Sequence, residues 1–191
     1  MGLVLWIVIG VGLALGLAVG LTYNRMVARR NAVDSSWAQI DVPLRKRHDL
    51  IPPLVEAVRG YAAHERTTLE RVTESRGRAI AASGVPGRAA AEGELGRATG
   101  ALLVTAENYP DLKASENFSK LATQLREVED QIAIARRVYN DTVETYNTLV
   151  QIFPAILVAR AFGFTPREFF DAPTAAEATP QVDLAATRDL A

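Results

Sequence analysis

His48 and His64 are the only histidines among 191 residues, and there is no cysteine. Thiolate catalysis, disulfides and Cys-ligated zinc are therefore excluded. His64 opens "HERTT", residues 64–68, which starts like a zinc-protease helix motif but lacks the second His four residues on. His64 and Glu65 read as ordinary helix-surface residues. Asp34, Asp41 and Asp49 are spaced by seven and eight, which suits a solvated or bundle-facing stripe as readily as a metal site. A carboxylate metal site in a helical bundle also needs Glu-x-x-His pairs, and none occurs. There is no Gly-rich phosphate loop, nucleophile elbow or calcium loop. The expectation is a protein without enzymatic activity, with no catalytic or metal-binding residues and no cofactor.

The residues that repeat are suited to contact instead. "YNDTVETYN", residues 139–147, holds Tyr-Asn twice, seven residues apart, and Asn24 and Asn31 repeat the spacing near the N-terminus. On helices, Tyr139 and Tyr146 would fill a seam. Asn140 and Asn147 would then stand level with Asn31 and Asn24, where buried amides fix register at a cost in stability. The other reading leaves these amides beside the seam, facing water. "RKRHD", residues 45–49, is either a solvated helix face or a site for an anionic partner.

A charge-free run, "GLVLWIVIGVGLALGLAVGL", covers residues 2–21. At 1.5 Å per residue it spans about 30 Å, the thickness of the hydrocarbon core. No basic residue precedes it, whereas Arg25, Arg29 and Arg30 follow. It reads as an uncleaved anchor over residues 1–22 rather than a signal peptide. The positive-inside rule then sets the N-terminus outside and the following domain in the cytoplasm of a bacterial inner membrane. The three arginines suit lipid headgroups. Gly12, Gly16 and Gly20 repeat every four residues, the small-xxx-small spacing that lets membrane helices self-associate, although Gly is common in such spans anyway.

Elements that would position these residues follow from periodicity. Val33, Trp37, Ile40 and Leu44 step by four, three and four, so a first soluble helix continues from the anchor. Pro43 should bend it and "DLIPPL", residues 49–54, should end it. A second helix is expected from about Pro53 to Ala82, a loop at 83–87, and a third helix from about Arg88 to Tyr109, where Gly93, Gly96 and Gly100 would let another helix approach. "YPDLKAS", residues 109–115, is the next turn, with Ser115 as N-cap. The strongest stripe runs from Phe118 to Phe153 and predicts a fourth helix of roughly 55 Å. "AILVARAF" forms a short helix stopped by Gly163, and "TPRE", residues 165–168, offers a capping box for a last turn. The segment 154–170 would seal the base of the bundle with partial contact to the lipid interface.

Short connections make successive helices antiparallel, so the end of helix four returns to the start of helix one. The fold class is all-α: a transmembrane helix continuing into an antiparallel four-helix bundle over residues 23–170, short C-terminal helical turns, and a mostly disordered tail over 171–191. The overall charge is near zero, 21 basic against 22 acidic residues, which does not suit nucleic acid. It is uneven: residues 22–76 hold ten basic and seven acidic side chains, net +3, and residues 107–191 hold eight and thirteen, net −5. The two regions suit mutual attraction or faces of opposite sign.

"YNRMVARRNAVDSSWAQIDVPLRKRHDLIPPLVEAVRGYAAHERTTLERV", residues 23–72, resembles the LemA family of bacterial membrane proteins, as do "AENYPDLKASENFSKL", "EDQIAIARRVYNDTVETYNTLVQIFP" and "AFGFTPREFF". The resemblance implies one N-terminal span and a helical bundle. It brings no established activity, cofactor or catalytic residue, and related proteins are associated with magnetosome formation in some bacteria. Pro43 stands where Gln is common in the family and Pro53 where Asn is common, which bears on the straightness of helix one and its turn. The expected function is a membrane-anchored scaffold or interaction protein, with membrane lipids and unidentified proteins as partners and homo-oligomerisation as an option. The alternative is a regulatory adaptor or sensor subunit of a membrane protease or kinase system.

Overall fold

The computed structural model describes residues 1–62 and 65–170; His64 and the tail expected to be disordered, 171–191, lie outside the described residues. The described chain is all-α, six helices in the order α1 (Gly2–Arg59), α2 (Arg66–Ala81), α3 (Val85–Ala106), α4 (Pro110–Ala114), α5 (Glu116–Gln151) and α6 (Ala155–Phe162). α1 is 58 residues, about 87 Å of helix. Its first turns carry an apolar run long enough to cross a membrane, none of it buried within the protein. The fourth long helix is the predicted one: α5 covers 36 residues, about 54 Å.

Helix one differs from expectation. It does not end at 49–54 but runs through Pro43, Pro52 and Pro53 to Arg59. Two local facts explain this. Pro52 and Pro53 lie on the exposed side, while Ile51, Leu54, Val55 and Val58 around them are buried. Burial of those four side chains, each worth about 1.5–3 kcal/mol, offsets the penalty of about 3 kcal/mol at each of the two prolines. The backbone loss at Pro52 is also repaired. Pro52 has no N–H to give the carbonyl four residues earlier, that of His48, and the Nε of Arg76 donates to it instead at 2.7 Å. Gly60 and Tyr61 form a turn after α1, and α2 starts at Arg66 rather than Pro53.

Other boundaries shift less. Gly84 takes a positive φ of 70°, which needs glycine, and α3 begins at Val85 with Pro86 in its first turn. The stretch 109–115, read as a turn, contains α4, and Ser115 is the N-cap of α5 without a side-chain capping bond. Gly163 stops α6 in the left-handed conformation, φ 72°.

α1 and α5 pack along most of their shared length, and two buried clusters divide that length. The distal cluster joins Ile51, Leu54 and Val58 of α1, Leu69 and Val72 of α2, Leu95 and Leu102 of α3, and Phe118 and Leu125 of α5. The proximal cluster joins Met26, Val33 and Ile40 of α1, Tyr139, Val143 and Tyr146 of α5, Val158 of α6, and Phe164 and Phe170 beyond it. Four helices thus surround the distal half. In the proximal half, the α1–α5 groove is covered by α6 and the segment 164–170. As expected, the end of the long helix returns beside the end of the apolar run, with Tyr23 of α1 edge-on to Phe162 at 5.0 Å.

Replacing Arg76 with Met should lower unfolding free energy by about 1 kcal/mol in urea titrations followed by helical circular dichroism, because a half-buried carbonyl loses its donor. In a Pro52→Ala background, which restores the backbone N–H, the same replacement should cost markedly less. Equal costs in both backgrounds would contradict the repair.

Candidate functional site

The stripe Ile40, Leu44, Ile51, Leu54 and Val58 leaves one inward step unfilled, and Arg47 occupies it. On α3 the inward positions run Glu92, Leu95, Thr99, Leu102, Ala106, so a carboxylate begins that stripe. The two polar intruders meet. Arg47 is 2% exposed and Glu92 3%. Nη2 of Arg47 donates to the Glu92 carboxylate and to its main-chain carbonyl at 3.0 Å. Nη1 forks onto Glu129 of α5 at 2.9 and 3.0 Å. Nε2 of His48 bonds the other Glu92 oxygen at 2.9 Å. One guanidinium therefore ties α1, α3 and α5 together. A Cβ at Gly96 would meet Nη1 of Arg47 at 3.4 Å, so an arginine head, and not the expected neighbouring helix, lies over that glycine.

Burial alone would raise the Glu92 carboxyl. The bond to His48 and the charge and bond of Arg47 outweigh it and leave the group below the ordinary value of 4.5. With both oxygens taken, Glu92 is engaged in holding helices. The segment 45–49 is thus not a uniform solvated face: Arg45 and Lys46 are exposed, but Arg47 and His48 point inward.

The repeat at 139–147 forms a second polar construction. Tyr139 and Tyr146 are buried in the proximal cluster as seam-filling residues. Their hydroxyls donate to main-chain carbonyls of the C-terminal segment, Tyr139 to Glu168 at 2.9 Å and Tyr146 to Thr165 at 3.0 Å. Burial pushes both phenols up. Asn147 grips Arg167 twice: its Nδ2 donates to the Arg167 carbonyl at 2.9 Å and its Oδ1 accepts the Arg167 N–H at 2.7 Å. Oδ1 of Asn140 accepts the N–H of Phe170 at 2.9 Å.

The expected pairing across helices is therefore not formed. Asn140 and Asn147 hold the strap 165–170, while Asn24 and Asn31 on α1 are exposed. The same ladder explains why "TPRE" opens no helical turn: its main-chain groups are satisfied by α5 side chains, with no need of helical bonds. Aromatic packing fixes both ends of the strap. Phe164 lies 5.6 Å from Tyr23 with Arg30 over its ring at 5.4 Å, and Phe170 lies 5.8 Å from Trp37. Arg167 also pairs with Asp34 of α1 at 3.1 Å.

The remaining predicted residues lie on the anchor and its exit. Gly12, Gly16 and Gly20 have open space where a Cβ would be, so that face is uncovered. Arg25, Arg29 and Arg30 are exposed. Among the described residues no group of acidic or histidine side chains is placed to hold a metal ion.

The family model described as LemA family matches residues 36–184. "Magnetosome protein MamQ" of Magnetospirillum gryphiswaldense is 24% identical, over 85% of this chain and 70% of the relative. "Magnetosome protein MamQ 2" of Paramagnetospirillum magneticum is 26% identical over the same shares. "Protein LemA" of Metamycoplasma hominis is 25% identical over 72% of this chain and 63% of its own length.

Two outcomes follow from this geometry. Glu92→Gln should cost about 3 kcal/mol at neutral pH, since it leaves a buried guanidinium poorly compensated. The folded carboxyl lies below its unfolded value, so its contribution is complete above about pH 4.5 and fades as pH falls through the folded pKa. Stability measured against pH should therefore drop more steeply in acid for the parent than for the Gln variant; parallel curves would contradict the pairing. Asn147→Ala should release the strap at a cost of about 1 kcal/mol, seen as faster hydrogen exchange at the Arg167 amide and faster trypsin cleavage after Arg167. Unchanged exchange there would contradict the ladder.

Proposed function

This chain belongs to the LemA family, and from that premise we propose that it is a membrane-anchored, non-enzymatic scaffold. Its bundle stands in the cytoplasm of a bacterial cell and binds proteins, including copies of itself. The observation that carries this reading is the continuity of α1: one helix holds the candidate span and then contributes to both buried clusters. A bundle built on its own anchor has its orientation fixed relative to the bilayer, which suits presentation of helix faces to partners. The uncovered face of Gly12, Gly16 and Gly20 supports self-association through close helix approach. Both polar constructions are engaged in holding helices and strap, which supports a binding role over catalysis.

Purified from its membrane in mild detergent, the full chain should run as a discrete homo-oligomer by light scattering, and Gly16→Leu should shift it toward monomer. A monomer bound one-to-one to a membrane protease or kinase would instead favour an adaptor role. Substrate turnover by the purified chain would contradict the non-enzymatic reading.

A further inference from the structure

α6 buries Ala155, Val158 and Ala159 against the bundle. Its other side and the turn before it are apolar and uncovered: Phe153 is 79% exposed, Leu157 59%, Phe162 55%, and Ile152 is also exposed. A contiguous patch of large apolar side chains on a folded domain marks a contact surface. Its height is set by Phe162, which packs on Tyr23, and Tyr23 follows the last residue of the apolar run by two, about 3 Å of helix. The patch therefore lies level with the end of the candidate span.

The charge around it has one sign. Residues 22–33 contain Arg25, Arg29 and Arg30 and no carboxylate, and residues 145–163 contain Arg160 and no carboxylate. Of the three segments that reach this end, these two bring cations only, and the third, which packs Phe164 on Tyr23, carries its one carboxylate at Glu168, beside Tyr139. We propose that this surface, Ile152, Phe153, Leu157 and Phe162 within an arginine collar, is a second bilayer contact that lies in the lipid interface and favours anionic headgroups. Apolar side chains flanked by cations are the composition of interfacial segments. A second copy is a poorer occupant, because it would set two arginine collars against each other. The proposal rests on the reading of α1 as a membrane anchor.

The absence of cysteine makes the test direct. Nitroxide labels at Phe153→Cys, Leu157→Cys, Ile134→Cys and Leu13→Cys would be read in the full chain, reconstituted in phosphatidylcholine vesicles with and without phosphatidylglycerol. Labels at 153 and 157 should collide more with oxygen, and several-fold less with an aqueous nickel chelate, than the label at 134, which sits on an exposed face of α5. Phosphatidylglycerol should widen the contrast, and Gln at Arg25, Arg29 and Arg160 should abolish that widening. Equal nickel access at 157 and 134, with the label at 13 shielded, would overturn the second contact and leave the anchor standing. Water access at 13 as well would overturn both. Spin–spin broadening between copies at 157 without any at 13 would overturn the proposal in favour of a contact between copies through this patch.

Discussion

α1 carries two patterns on one backbone, and the rest of the structure follows from their being joined without a break. Over residues 2–21 it is apolar all round and uncovered. From Met26 onward it is apolar on one stripe, which the bundle covers. One unbroken helix carrying both patterns fixes where every partner must sit. α5 has to run back along it toward the apolar run, and the chain after α5 has to close the groove beside Tyr23. The bundle is long because α1 continues past three prolines, and that continuation depends on the buried side chains around Pro52 and on the guanidinium of Arg76 that serves the freed carbonyl.

Two polar constructions then divide the labour along that axis. Halfway up, Arg47 reaches α3 and α5 through Glu92 and Glu129, and its position in the stripe admits few alternative registers. Replacing a buried pair with apolar residues is often neutral or stabilising, so such a node is better understood as selecting one arrangement than as adding stability. Nearer the apolar run, the Tyr and Asn side chains of α5 bind main chain and not side chain. They hold the strap 165–170 without helical bonds, and Phe164 and Phe170 at its two ends join the proximal cluster, against which Val85 and Ala89 of α3 also pack. Held in this way, the bundle keeps its shape at the end beside the apolar run, as the proposed scaffold role requires.

Most of the architecture is legible in the sequence because periodicity reports burial directly. The apolar run, the α5 stripe and the Gly163 stop are all read at their positions. Helix one is misread because local proline rules are weighed without the tertiary terms that overrule them: the stripe 51–58 continues in phase, but the prolines conceal it. That same early termination hides Arg47, whose position becomes visible only when the four-three stripe is carried from Leu44 to Ile51. The Tyr-Asn repeat is correctly placed on a helix facing the proximal core, and its partners are not. A seven-residue spacing says which face the amides share but not whether a helix or a strap lies against it. The capping box at 165–168 fails for the complementary reason, since its main-chain donors and acceptors are claimed by side chains more than fifteen residues away in sequence.

Continuity of α1 is therefore the point on which the account stands. Spin labels at Asn31→Cys and Arg59→Cys, both on exposed positions, should report by pulsed dipolar spectroscopy a single narrow separation near 42 Å, the length of 28 helical residues. A helix that ended at 49–54 and folded back would give a separation below about 25 Å, and that result would contradict the account.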